Sequence, residues 1–482
     1  MSVSTEVRSW HQRPSDLPHG SLFLLFLIIL SRLPFLWTGY GADGDAWRVA
    51  SVADVLWRTC EYQPSRLPGF PLHEIVSAPL VAGGGAALSN GATVVVSLLA
   101  LLVWFRIAQN TTSYPLLSTF CLAFSSLFWI DSATTMDHVW SLLFLVLSLF
   151  SLHRNNSLAG GICLGIAIGF RFSNAIAIIP LLTIVSFGRR PLREAATFVL
   201  TAAATATLAF APLLLRYGVV DWIRMTRVET GVIHFSFLER IQFFLYRSVY
   251  SIGPLATVVA AALLAFHRKA LLKRVRSRDA LFIASLIGVT AFLSLFIIYP
   301  LERSYLLPAV CFLLIAIQSL ATRNQLVVFG ICLISFGFVN PDIVRHVGAV
   351  GTPGFNIHWG PVVEEYQKRV ALLDDRDNIP RIRLPGRALV MTGSDAAFWF
   401  DNENLERDTL PQWNSIREKV VCKKGNAELC FVAALNRKEI EQVRAMGYTV
   451  YCLASAREYV ERVTGLRMAD EHVSLVSPEH AG

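Results

Sequence analysis

Apolar stretches long enough to fill a hydrocarbon layer of roughly 30 Å recur through the first 340 residues, separated by short polar or basic breaks. In lipid only helices satisfy their own backbone groups in such segments. The pattern predicts about eleven membrane spans, near residues 20–37, 89–107, 114–130, 136–152, 157–170, 173–187, 195–216, 248–266, 280–299, 304–321 and 325–340. The fifth and sixth form one apolar run, Leu158 to Phe187, broken by Arg171 and Ser173-Asn174, which suits a helical hairpin better than one overlong helix. Residues 21–30 are apolar like a signal-peptide core. No small-residue cleavage site follows, and Arg32-Leu33-Pro34-Phe35-Leu36-Trp37 extends the span, so the first helix is expected to stay attached, with Trp37 and Tyr40 at the outer interface.

Beyond residue 340 the pattern changes, and about half of the chain's Asp, Glu, Lys and Arg fall in less than a third of its length. Strands are expected at Arg387 to Thr392, Cys430 to Leu435 and Thr449 to Ala454, and helices at Arg437 to Met446 and Ser455 to Val463. The predicted fold class is therefore an α-helical polytopic membrane protein with a C-terminal soluble α/β domain. Its domains are residues 1–340 and 341–482, the latter extracytoplasmic and suited to a docking or scaffold role.

Composition agrees with the pattern, since 54% of residues are hydrophobic and 16% charged. Basic residues set the orientation, because short loops rich in Lys and Arg stay in the cytoplasm. Alternate loops hold Arg106, Arg154, Arg189/Arg190/Arg193, the dense run His267 to Arg278, and Arg323. This places the N-terminus inside and the loop after the first span, the Arg216 to Arg247 loop, the Tyr299 to Tyr305 turn and the tail outside. The net charge of +8 is thus mostly an orientation signal, and no nucleic-acid motif accompanies it. A multi-pass protein of a bacterial inner membrane is expected, with membrane lipids as constant partners.

Of eight cysteines, Cys121, Cys163, Cys311 and Cys332 lie in apolar spans, whereas Cys60, Cys422, Cys430 and Cys452 face an oxidising space. Cys422 and Cys430 flank a plausible turn and are candidates for a disulfide, with Cys452 an alternative partner. No spacing suggests a zinc site.

Chemistry concentrates between residues 38 and 88. Asp43 and Asp45 begin an amphipathic segment to Arg58 that is expected to lie along the membrane surface, with Arg48 one turn from Asp45. Arg66, His73 and Glu74 follow in a proline-punctuated stretch that ends in a Gly83-Gly84-Gly85 break. Carboxylates at a membrane face are costly unless they serve a site or stay in water. Blander roles stand beside this one. Asp43 can cap a helix with Asp45 in its first turn; Asp131 and Asp137 can be capping or interface residues; Glu302 and Arg303 can form a solvated pair; Arg171 can be structural; His73, Glu74 and His234 can simply face solvent.

Residues 20–340 resemble the C-type glycosyltransferases (GT-C), polytopic enzymes that take a sugar from a polyprenyl-phosphate carrier on the outer membrane face. Asp45-Ala46-Trp47-Arg48-Val49-Ala50 is similar to the Asp-Glu-x-Arg-Tyr-Ala element of the aminoarabinose-transferase and protein-mannosyltransferase branch, and Arg66 to Leu72 to the Pro-rich stretch after it. Asp137, Gly165 to Arg171, and Arg303-Ser304-Tyr305-Leu306-Leu307-Pro308 resemble its later landmarks. The resemblance implies transfer from a polyprenyl-phosphate-linked sugar to a lipid, glycan or protein acceptor, with Asp45 as the outer-loop acid. Ala46 stands where a second acid often stands; Asp43 is its substitute, and a requirement for a divalent metal stays open.

Such a transfer needs a base at the acceptor, Asp45 or Asp43, and cations at the departing phosphate. Arg303 is the first choice for the latter, ahead of Arg171, Arg240, Arg247 and His234. Two other function classes are compatible with the pattern: a transporter or lipid flippase, and a non-enzymatic envelope assembly protein.

Overall fold

The first apolar run forms α1 (His19–Arg32) and a 3-10 turn to Phe35 in a computed structural model that describes residues 19–188, 190–231, 236–347, 350–378, 382–393, 397–398, 400, 405–407, 420–424 and 426–476. His234, Arg189 and the first 18 residues lie outside the described residues. Next come α2 (Gly44–Thr59) and α3 (Pro71–Thr111). Although α3 begins well before the span expected from residue 89, its backbone is non-helical at Gly84 and Gly85, the latter at φ 57°, so the glycine break survives as a kink.

Helices α4 (Pro115–Ala123), α5 (Ser126–Asp131), α6 (His138–His153) and α7 (Ser157–Phe170) follow. The Leu158 to Phe187 run is interrupted where expected: Arg171 is extended, and a 3-10 segment, Phe172–Ala177, leads into α8 (Ile178–Ser186). Then come α9 (Pro191–Gly231), α10 (Phe237–Ile252), α11 (Pro254–Phe266), the basic α12 (Arg268–Arg276), α13 (Ala280–Ile298), α14 (Leu307–Gln318) and α15 (Arg323–Phe338).

Among these, α3, α9 and α13 are long and apolar enough to cross a membrane by themselves, and α10 with α11, bent by 87°, qualifies as a broken span. The other apolar stretches fall on shorter helices such as α6 and α7 or on the broken pair α4 and α5. Leu192, Leu200, Leu208 and Leu215 form an exposed row along α9, while its Phe198, Ala202 and Leu213 are buried, the pattern of a helix with lipid on one side. Helix α7 meets α9 through Gly161, Gly165 and Gly169; a Cβ at Gly165 would stand 2.5 Å from Thr205 Cβ and 2.7 Å from the Ala202 carbonyl oxygen. Small residues at such a crossing let two backbones approach where water supplies no hydrophobic drive.

At its end α15 passes directly into β1 (Val339–Val347), which pairs antiparallel with β2 (Val350–Trp359), a hairpin the apolar pattern does not announce. Helix α16 (Pro361–Asn378) precedes β3 (Ala388–Met391), β4 (Leu405–Arg407), β5 (Val421–Lys423), β6 (Asn426–Val432), α17 (Arg437–Ala445), β7 (Thr449–Leu453), α18 (Arg457–Thr464) and β8 (Ser474–Val476). The sheet order is β4-β5-β6-β3-β7-β8, parallel from β6 to β8 and antiparallel at the β4-β5 edge. Central β3 is buried along its length, as parallel strands covered on both faces are. Cys422 and Cys430 are directly opposed on β5 and β6 and form a disulfide, so Cys452 is a free, buried thiol on β7.

Two expectations about the outer loop are corrected. Helix α2 does not lay its apolar face on lipid: Ala46, Trp47, Ala50 and Ala53 share one core with Ala78 and Val81 of α3 and with Leu389, Phe400 and Val450 of the α/β region. Tyr40 belongs to that core too, edge-on to Trp47 and Phe400, because protein covers the surface that the sequence offers to headgroups; Trp37 remains exposed.

Candidate active site

Three helix ends converge on one charged cluster. Asp137 precedes α6, Arg171 follows α7, and Glu302 and Tyr305 lie in the turn between α13 and α14. Asp137 is fully buried and caps no helix with its side chain; instead its Oδ1 accepts from Arg66 Nη2 at 2.5 Å and its Oδ2 from Arg171 Nη1 at 2.6 Å. A carboxylate taken out of water needs such charge-assisted partners on both oxygens. The guanidinium groups are sandwiched as well, Arg66 over the Phe70 ring at 4.2 Å and Arg171 over the Tyr305 ring at 4.4 Å. Arg171 Nε is buried and has no acceptor.

Arg66 also reaches Asp45, its Nε 3.5 Å from Oδ2, and Asp45 Oδ1 lies 3.4 Å from exposed Arg48. A single guanidinium therefore joins the first-loop acid to the buried Asp137. Asp45 stays partly open to solvent, at 26% side-chain exposure. Asp43 is the N-cap of α2, its Oδ1 accepting the Asp45 N–H at 2.9 Å. Asp43 keeps an exposed surface, while the protein around it removes part of its hydration. Loss of solvation, with the Asp45 and Glu302 carboxylates next to it, pushes its carboxyl up to about 7. Partial burial opposes ionisation of Glu302, but the His138 imidazole at 3.3 Å and the Arg171 and Arg66 charges outweigh it and hold that carboxyl at about 2. Burial likewise works against Arg66, and Asp45, Asp137 and Glu302 overcome it, keeping the guanidinium above its ordinary value.

The Pro-rich stretch is anchored rather than free. Glu74, buried in the first turn of α3, accepts from Tyr62 Oη at 2.5 Å and from Ser65 N and Oγ at 2.6 and 2.7 Å, and Trp222 Nε1 donates to the Pro68 carbonyl at 2.7 Å. These bonds fix the backbone that aims Arg66. His73 is buried beside the cluster, its ring edge-on to Trp140 and its Nδ1 without a partner. Neither His73 nor Glu74 faces solvent.

Arg303 is half-buried, with Nη1 3.5 Å from the Tyr250 carbonyl, and is not part of the Asp137 network. Its neighbour Glu302 is more than a solvated turn charge, through His138, while Ser304 Oγ donates to Asp131 Oδ1 at 3.0 Å. Arg247 donates to the Pro300 carbonyl at 2.8 Å, and Arg240 lies on α10 with its Nε buried and unpartnered. Among the described residues no three His, Cys, Asp or Glu side chains gather as donors for a metal ion.

Sequence reading missed Asn90, Tyr62 and His138, and named Tyr305 only within a motif. Asn90 ties two distant segments together: its Nδ2 donates to the Gly39 carbonyl at 2.8 Å, and its Oδ1 accepts from Thr135 Oγ1 at 2.9 Å. A polar amide inside an apolar helix was the available signal for it.

A crystal structure of ArnT from Cupriavidus metallidurans bound to undecaprenyl phosphate superposes with a TM-score of 0.51 at 10% sequence identity, over 94% of this chain and 89% of that one. The chain has an ArnT-like fold. The apo state of the same ArnT aligns over 94% of this chain and 88% of that one, at 10% identity and a TM-score of 0.47. No protein-family model and no curated protein matches the sequence. The ArnT-like superposition spans the helical bundle and the α/β region together, since so little of either chain is left out.

Proposed function

We propose that this protein is a membrane glycosyltransferase that moves a sugar from a polyprenyl-phosphate carrier to a lipid, glycan or protein acceptor on the extracytoplasmic face. The observation that carries this reading is the relay Asp45–Arg66–Asp137–Arg171, which puts an accessible carboxylate and two buried cations at one mouth of an ArnT-like bundle. The ArnT that superposes holds undecaprenyl phosphate, which supports a lipid phosphate as the ligand here.

Connectivity supports the outer location. Helix α13 begins beside the basic α12 and ends at the Glu302 turn, roughly 28 Å away for a helix of its length. Helices α6 and α7 likewise run between the Arg154 loop and Asp137 or Arg171. If basic loops face the cytoplasm, all three carry their site residues to the far side.

In this reading Asp45 takes the proton of the acceptor hydroxyl as its oxygen attacks the anomeric carbon. The bond to the carrier oxygen breaks, and the phosphate leaves with that electron pair. Arg171, with a donor to spare at Nε, and Arg303 from the neighbouring turn stabilise the growing negative charge. Arg66 holds Asp45 in place through the contact of its Nε with Oδ2. An apolar groove of about 510 Å³ between α8 and α13, lined by Ile179, Leu286 and Ile298 among others, offers a path for a lipid tail.

The test compares lipid-linked sugars and envelope glycans in a deletion strain complemented with the wild type or with Asp45→Asn. An amide keeps the shape but cannot take the proton, so transfer should drop by roughly a hundredfold or more with abundance unchanged. Full transfer by Asp45→Asn, by Asp43→Asn and by the double variant would remove the carboxylate base from the mechanism.

A further inference from the structure

Helix α16, which opens the C-terminal region, reaches into the scaffold of the site with two side chains one turn apart. Arg369 is fully buried. Its Nε donates to Glu365 Oε1 at 2.7 Å, its Nη1 to the Ala133 carbonyl at 2.8 Å and its Nη2 to Thr134 Oγ1, while the guanidinium lies 5.3 Å from the Phe35 ring centre. The same Glu365 Oε1 accepts the Ala42 N–H at 3.1 Å.

The two backbone segments held in this way are the ones that carry the acids. Ala42 immediately precedes Asp43, the cap of α2, so its placement sets where α2 starts and where Asp45 points. Ala133 and Thr134 precede Asp137 by one short turn. The segments also touch each other, through Thr135 N–H to the Tyr40 carbonyl at 3.0 Å and through Asn90. Further along the same helix Arg376 lies 5.2 Å from the Trp47 ring centre and donates to the Phe400 carbonyl at 2.7 Å. Trp47 Nε1 in turn donates to the Gly41 carbonyl at 2.9 Å.

An ordinary docking surface does not need a desolvated arginine committed to a carbonyl and a hydroxyl of its partner. Apolar contacts such as Tyr40 with Phe400 supply attraction without specifying position, whereas a planar fork with three fixed acceptors admits one arrangement. We infer that Glu365 and Arg369 are positioning residues: the C-terminal region acts as a clamp that sets Asp45 and Asp137 at the separation Arg66 can bridge. This rests on the transferase reading for its consequence in catalysis, and on the hydrogen bonds alone for its consequence in structure.

The experiment uses the full-length protein in lipid nanodiscs, as wild type, Glu365→Ala, Glu365→Gln and Arg369→Lys. Hydrogen exchange is followed in peptides covering residues 39–46, 131–137 and, as a remote reference, 284–296. Initial rates are measured against a polyprenyl-phosphate sugar. Glu365→Ala removes the acceptor of the Ala42 N–H and should speed exchange in 39–46 roughly tenfold, leaving 284–296 unchanged. Its kcat should fall roughly ten- to a hundredfold with the donor KM little altered, because geometry and not carrier contact is lost. Glu365→Gln, whose carbonyl still accepts from Ala42, should keep more of both protection and kcat. Arg369→Lys cannot span its three acceptors and should loosen 131–137.

Unchanged exchange in 39–46, a kcat that ignores faster exchange there, or equal effects of Gln and Ala at 365 would each overturn the clamp. If Glu365→Ala opens the reference peptide as well, it has simply unfolded, and the Gln and Lys variants decide. A wild type that transfers sugar from no lipid phosphate would end the transferase reading, while the exchange pattern would still judge the clamp.

Discussion

Arg66 and Asp137, 71 residues apart in the chain, meet with Nη2 2.5 Å from Oδ1 where solvent does not reach the carboxylate. Asp137 neutralises two guanidinium groups, so removing its charge takes from buried Arg171 its carboxylate contact and leaves Arg66 only the longer one to Asp45. Asp137→Asn should cost about 3–5 kcal/mol of stability, with lower abundance and midpoint of thermal unfolding in detergent. Asp137→Glu should recover part of the loss. A stable, fully abundant Asp137→Asn protein would show that the cluster is hydrated enough not to need the charge.

Asp43 supplies a pH dependence whose sign follows from linkage. Folded, its carboxyl is raised to about 7, while in the unfolded chain it ionises in the ordinary carboxylate range. The folded state holds the proton more tightly, so Asp43 contributes stability at acid pH that is lost as pH rises through about 7. Asp43→Asn keeps an acceptor oxygen for the Asp45 N–H and has no proton to lose. The thermal midpoint of the variant minus that of the wild type should therefore climb between about pH 4 and pH 7 and level off above. A flat difference would mean that Asp43 titrates as an exposed acid.

Arg303 is the cation whose role in carrier binding the sequence favours and the Asp137 network does not include. If it meets the phosphate, Arg303→Ala should raise the donor KM roughly tenfold or more and Arg303→Lys should sit between, since lysine offers one point charge in place of a planar fork. Donor kinetics identical to wild type in Arg303→Ala would leave Arg171 as the phosphate residue.

Orientation can be read by labelling intact cells expressing single-cysteine variants. A cysteine at Leu272 in basic α12 should be protected from an impermeant maleimide, and one at exposed Lys438 in α17 should react. Reaction at 272 would invert the bundle. Protection at 438 would put the α/β region, with its Cys422–Cys430 disulfide, in a reducing compartment.

By itself the sequence determined what depends on local chemistry: apolar lengths that call for helices, the interruption at Arg171, the glycine kink near residue 84, the alternation that gives β3, α17 and β7, and the Asp45–Arg48 pair one turn apart. These follow from nearest neighbours along the chain, and periodicity records them. Candidate acids and arginines were visible for the same reason, since charge beside lipid is costly wherever the chain then goes. Which of them meet was decided only by tertiary structure. Nothing near Asp137 in sequence indicates that Arg66 and Arg171 will share it, that Tyr305 will lie under one of them, or that a helix beginning at Pro361 will return to hold Ala42 and Ala133. Tyr40 and the inner face of α2 were misjudged on the same ground: an apolar face does not say whether lipid or protein covers it, and here the covering surface comes from more than 300 residues away. Charge pairing and burial are properties of what the fold brings together, and desolvation makes those pairings obligatory once the chain has closed around them.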